Sequence, residues 1–184
     1  IKVLEAVHKA GKGHIGGAYS MMDILTVLFY GGIVKHDPKN PNWEKRDIFL
    51  LSKGHAGIGL YCVLSDRGFF DEKHLFELNN GGLLGEHPDY NIPGIEVVGG
   101  SLGHGLGIAC GMAKADKINF NSRKYFVLMG DGELYEGSVW EAILFASHHD
   151  LSNLILIIDR NRYIATAGTE EVNSLSSISD KMHS

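Results

Sequence analysis

Apolar and polar positions change rhythm along this chain in a way that predicts alternating helices and short strands. Ile1, Val3, Leu4, Ala6 and Val7 carry helical periodicity from the first residue, with no cap before them. Ser20 suits the N-cap of a helix through Met21, Ile24, Leu25, Leu28 and Phe29, with Asp23 in its acidic first turn. After the polar loop 36–41, residues 46–51 read as a strand ending at Ser52-Lys53-Gly54-His55, and residues 56–64 as a helix. Another helix is expected from the cap Asp71 to Leu78, before Gly81-Gly82. A glycine-rich stretch, 99–107, opens a helix through Ala115; apolar runs at 125–129 and 154–158 then flank a helix from about 136 to 149. Residues 170–184 have helical character in places and no closing feature.

Short continuous apolar strands alternating with helices imply an α/β class: a three-layer α/β/α arrangement around a mainly parallel sheet. Nothing resembling a linker, repeat or low-complexity tract divides the chain. Its 184 residues, 44% hydrophobic and 21% charged, suit one domain spanning 1–184, expected to be incomplete at both ends.

A net charge of -5 argues against nucleic acid or an anionic membrane as partner, since both call for clustered Lys and Arg. No apolar run reaches the roughly 18–20 residues of a membrane span, and the start lacks a signal-peptide layout. Cys62 and Cys110 both sit in apolar, helix-like stretches, so a reducing, cytoplasmic setting is expected rather than a disulfide framework.

In an open parallel sheet, ligands bind beyond the carboxyl ends of the strands. The residues there are unusually polar: Gly130-Asp131-Gly132-Glu133 after one apolar run and Asp159-Arg160-Asn161-Arg162-Tyr163 after the next. Taken singly, each reads equally well as a turn or a loop cap. One crossover helix between parallel strands would, however, bring Asp131 and Asn161 to neighbouring strand ends. Mg²⁺ wants about six oxygens and often takes several from phosphates. Asp131, Asn161, a backbone carbonyl near Tyr163, water and two diphosphate oxygens would complete its shell; Ca²⁺ and Mn²⁺ share this ligand chemistry.

This pair resembles the thiamine-diphosphate signature, a Gly-Asp-Gly followed about thirty residues later by Asn. Further motifs in order narrow the resemblance to the transketolase family: Gly13-His14-Ile15-Gly16 with Ser20 after it, Asn40-Pro41-Asn42-Trp43 leading to Ser52-Lys53-Gly54-His55, Glu86-His87-Pro88, and Gly100-Ser101-Leu102-Gly103-His104-Gly105. The resemblance implies that His14 and His87 contact sugar hydroxyls and that His55 lies near the diphosphate and the reacting centre. It implies cofactor contacts from His55, Gly100, Ser101, Leu102, Gly130, Asp131, Gly132, Glu133 and Asn161. It also places Glu136 and Glu141 at a dimer contact, although an acidic first turn ordinarily just complements a helix dipole. His104 stands where many transketolases carry Gln, so its contact with substrate stays open. His8, His36, His74, His148, His149 and His183 receive no role.

In this family the proton-transfer Glu against the aminopyrimidine ring belongs to a separate domain, which nothing in the chain resembles. The resemblance therefore implies the N-terminal subunit of a split transketolase, or a fragment of a longer one, working on sugar phosphates with a pyrimidine-binding C-terminal partner in a dimer of heterodimers. The alternatives are another thiamine-diphosphate component (deoxyxylulose-phosphate synthase-like or 2-oxo acid dehydrogenase alpha-like), a silent scaffold paralogue, or a nucleotide-binding module. The last fits poorly, because the glycine spacing and the missing Walker lysine break its patterns.

Overall fold

Side chains alternate across a strand, so a continuous apolar run is stable only where both faces are covered. The computed structural model describes residues 1–183, and the end of the helical reading at Ser184 lies outside them. Strands β1 (Ile48–Leu51), β2 (Tyr125–Gly130) and β3 (Leu154–Asp159) form a parallel sheet in that order. Its register pairs Ile48 with Tyr125 and Tyr125 with Leu154, and ends by pairing Gly130 with Asp159.

The alternation divides the strand residues between two cores. Phe49, Leu51, Phe126, Leu128, Ile155 and Ile157 face the first, built with α1 (Lys2–Ala10), α2 (Ile15–Ser20), α3 (Met22–Tyr30) and α4 (Gly57–Asp66). Ile48, Leu50, Tyr125, Val127, Met129, Leu154, Leu156 and Ile158 face the second, built with α5 (Gly105–Ile118) and α6 (Gly137–His148). Each fully buried side chain of this kind contributes about 1.5–3 kcal/mol, so a strand shifted by one residue would exchange its two sets and lose the fit to both cores. The expected three-layer architecture is what forms. A hairpin, β4 (Tyr163–Ile164) with β5 (Ala167–Gly168), and helices α7 (Thr169–Val172) and α8 (Ile178–His183) follow the sheet. Among the described residues no helix is long and apolar enough to cross a membrane.

Several local expectations shift. Ser20 is not an N-cap: it ends α2, and α3 starts after Met21 with no side-chain cap. The Gly16-Gly17 pair hid the helicity of α2. The first strand begins at Ile48 because Asp47 turns its carboxylate onto the amides of Lys35 and Lys124, at 3.0 Å each. Asp71 does cap the next element, accepting from the Lys73 amide at 2.9 Å, but residues Glu72–Glu77 wind as a 3-10 helix.

At the corner between α5 and β2, buried Asp116 accepts two bonds from Arg123, at 2.7 Å each, one from Tyr125 at 2.7 Å and one from Asn121 at 3.0 Å. The Arg123 guanidinium, with Tyr125 and Asn121, holds its carboxyl well below the usual carboxylate range. The corner is thereby tied at the end of the sheet opposite the polar strand termini.

Candidate functional site

Beyond the strand ends the polar residues split into two groups, one on each face of the sheet. The alternation sends Ser52 toward the α5–α6 side and Lys53 toward the α1–α4 side. Lys53 is 1% exposed and pairs with Asp159 Oδ2 at 2.6 Å. The Ser20 hydroxyl donates to the same Asp159 oxygen and accepts from Lys53 Nζ at 3.2 Å. This buried ion pair joins α2, the end of β1 and the end of β3.

On the same side, three histidines converge. The rings of His14 and His55 meet edge to face with centroids 5.3 Å apart. His14 Nδ1 lies 3.2 Å from Glu86 Oε1. His87 lies behind Gly100, where an added Cβ would stand 3.4 Å from its ring. Gly54 packs so closely on the glycine-rich loop that a Cβ there would fall 2.4 Å from the Gly100 nitrogen. His55 is half-buried between these groups, and burial, reinforced by the charges of Lys53, His14 and His87, holds its pKa down to about 4. At neutral pH it is an uncharged imidazole with one N–H to donate.

On the other side, Ser52 Oγ, Gly103 N and Gly130 N all donate to the carboxylate of Glu133. Ser52, Gly99, Gly100, Ser101, His104 and Gly105 line a cavity of about 200 Å³. His104 turns back on its own loop, with Nδ1 3.0 Å from Leu102 O and 3.1 Å from Ser101 Oγ.

At the end of β2, Asp131 is wholly buried. Its Oδ2 accepts from Arg160 Nη1 and from the Arg162 amide, at 2.8 Å each. Its Oδ1 is buried without a hydrogen-bond partner, a costly state for a carboxylate oxygen. Asn161 stands on the neighbouring strand end; its Oδ1 accepts from the Tyr163 amide at 2.9 Å and keeps a second lone pair. Arg162 between them adopts φ 67°, which makes the turn tight. An orphaned carboxylate oxygen beside a half-used amide oxygen and the carbonyls of a tight turn suits a hard divalent cation. Among the described residues no cluster of three or more His, Cys, Asp and Glu could hold a metal, so beside Asp131 such a cation would rely on neutral protein oxygens and on phosphate or water oxygens.

Glu136 and Glu141 are both exposed, and α5 and α6 also expose Ile108, Leu144 and Phe145. The Lys53–Asp159–Ser20 link, the Glu86–His14 pair and the Arg160–Asp131 bond were not foreseen from the sequence. The available signal was a charged residue, Asp159, closing an otherwise apolar run.

Comparison with known proteins shows the family to which the chain belongs. The family described as "Transketolase, thiamine diphosphate binding domain" matches residues 1–184. The chain is 44% identical over 181 residues to an apulose-4-phosphate transketolase subunit of Phocaeicola vulgatus, covering 98% of this chain and 64% of that one. It is 39% identical over 180 residues to a 6-deoxy-6-sulfo-D-fructose transketolase subunit of Clostridium sp., covering 97% and 65%. Human transketolase is 44% identical over 167 residues, 88% of this chain and 26% of that protein. The chain thus spans about two thirds, or less, of the length of these relatives. Among solved structures, transketolase from Campylobacter jejuni superposes with a TM-score of 0.90 at 33% identity, covering 99% of this chain and 30% of that one. By motif order, fold and full-length family match, this chain belongs to the transketolase family and carries its thiamine diphosphate binding domain.

Proposed function

We propose that this chain binds the metal–diphosphate part of thiamine diphosphate and, with a pyrimidine-domain partner, transfers a two-carbon ketol unit from a ketose to an aldose. The observation that carries this reading is the buried, unpartnered Asp131 Oδ1 beside Asn161 at adjacent strand ends. Asp131, the Asn161 amide oxygen and the Tyr163 carbonyl would hold Mg²⁺, or Ca²⁺ or Mn²⁺ in its place. Gly130, Gly132 and the Gly100-Ser101-Leu102 loop would let the backbone approach the diphosphate. When bound, thiamine diphosphate supplies the electron sink that allows a ketose carbon–carbon bond to break.

The chain's own residues orient the sugar. His14 and His87 donate hydrogen bonds to its hydroxyls, and Glu86 supports His14. His55, uncharged at neutral pH, donates to an oxygen that gains negative charge without adding a buried cation. The surface around Glu136 and Glu141 would meet a second copy in a dimer of heterodimers. Relatives named as transketolase subunits support a separate partner chain, and the free, buried Cys62 and Cys110 suit a reducing cytoplasm.

The test is calorimetry with thiamine diphosphate and Mg²⁺, on this chain alone and with its pyrimidine-domain partner. Weak or absent binding alone, clear binding together, and loss of that binding in Asp131→Ala are expected. Unchanged partner-dependent binding after Asp131→Ala overturns the assignment.

A further inference from the structure

Glu133 is 1% exposed, and both of its carboxylate oxygens are taken by donors of this chain. Oε1 accepts from Ser52 Oγ at 2.6 Å and from Gly103 N at 3.0 Å. Oε2 accepts from Gly130 N at 2.9 Å. These donors come from three separate segments: the residue after β1, the glycine-rich loop before α5, and the last residue of β2. Resting on the cofactor reading above, we propose that Glu133 is a positioning residue that holds the glycine-rich loop and the Asp131 turn in their binding geometry before the cofactor arrives.

Two further observations make the loop side of this clamp specific. The Gly103 carbonyl accepts from Ser138 Oγ at 3.0 Å, so the residue is held at both ends by the segment that follows Asp131. Gly103 also adopts φ 77°, and an added Cβ would lie 2.6 Å from Glu136 Cβ. The loop is therefore seated directly on residues 136–138. Ser101 and Leu102 precede the pinned amide, and Asp131 follows the pinned Gly130. Both held segments thus present residues assigned to the ligand, and holding them in advance lowers the ordering cost of binding.

The chemistry requires a carboxylate. Two of the three partners are backbone N–H groups, which cannot reverse their role. The amide of a glutamine would point its NH₂ at Gly103 or at Gly130 whichever way it turned, breaking one bond while keeping the shape. A buried carboxylate facing only neutral donors makes charge-assisted bonds, roughly twice as strong as neutral ones, so this exchange is felt at the loop.

The experiment uses the protein assembled with its partner and combines amide hydrogen exchange with calorimetry of thiamine diphosphate at saturating Mg²⁺. In the wild type without cofactor, the Gly103 amide is expected to be protected. In Glu133→Gln, exchange at Gly103 or Gly130 should rise, and the cofactor dissociation constant should rise about tenfold, the factor set by losing one charge-assisted bond. A role confined to stability would lower the melting temperature and leave the dissociation constant in place. Unprotected Gly103 in the cofactor-free wild type overturns the proposal, as does a dissociation constant in Glu133→Gln within about twofold of wild type. If the variant does not assemble, the wild-type exchange decides alone. Failure of the wild type itself to bind thiamine diphosphate would instead sink the functional reading, and exchange at Gly103 would still report on the clamp.

Discussion

The depressed pKa of His55 makes a measurable demand on stability. Unfolded, its imidazole takes a proton below about 6.5; folded, it stays neutral down to about 4. Between those values the unfolded chain binds more protons, so the contribution of His55 is complete above about pH 7 and is lost as pH falls toward 4. Integrated from pH 7.5 to pH 5.0, the loss is about 2 kcal/mol. The groups that set it are the burial of the ring and the charges of Lys53, His14 and His87. The assay is urea unfolding of wild type and His55→Gln at both pH values, without cofactor. The difference in slope between the two proteins reports His55 together with its coupling to His14 and His87, while histidines that do not face the ring, including His149 with its own lowered pKa, cancel. The expected result is that the variant loses about 2 kcal/mol less than wild type on acidification. Equal losses in the two proteins would refute the neutral, half-buried imidazole and with it the single-donor role.

Other expectations follow from the same geometry. Asp116→Asn should lose about 3 kcal/mol in chemical denaturation and lower the melting temperature by about 6–12 °C. That contribution is present above the unfolded carboxyl pKa and disappears as pH falls through the depressed folded value, so wild type and variant should converge in acid. Lys53→Met should cost about 3–5 kcal/mol by leaving Asp159 buried and unpaired, whereas Lys53→Met with Asp159→Leu should recover most of it; a double-mutant cycle checks this. Gly54→Ala, whose Cβ would fall 2.4 Å from the Gly100 nitrogen, should cost about 1–3 kcal/mol and separate the His55 ring from His14, visible as changed imidazole proton shifts.

The parallel sheet was legible because its strands are continuous apolar runs, and the two faces follow from their alternation. The Asp131–Asn161 juxtaposition was legible because one crossover helix separates two such runs. The histidines were legible only through motif resemblance, since spacing alone gives no reason for residues 14, 55 and 87 to meet. What stayed hidden depends on tertiary approach. Lys53 and Asp159 lie 106 positions apart, and neither announces a partner. Glu133 reads as a motif position until Ser52 and Gly103 are brought to it. The boundary at Ser20 failed because a hydroxyl that would serve as a cap was drawn instead to Asp159.

Ser52 and Lys53 give the end of β1 a parity. One residue added after Leu51 would itself take the place of Ser52, put the Ser52 hydroxyl where Lys53 stands and turn the Lys53 ammonium to the opposite face, leaving Glu133 without its hydroxyl donor and Asp159 without its cation. Both halves of the pocket would fail together, although no residue had been replaced. The stretch from Leu51 to His55 is therefore expected to accept some substitutions but no single-residue insertion or deletion. Its length is as much a part of the site as its side chains.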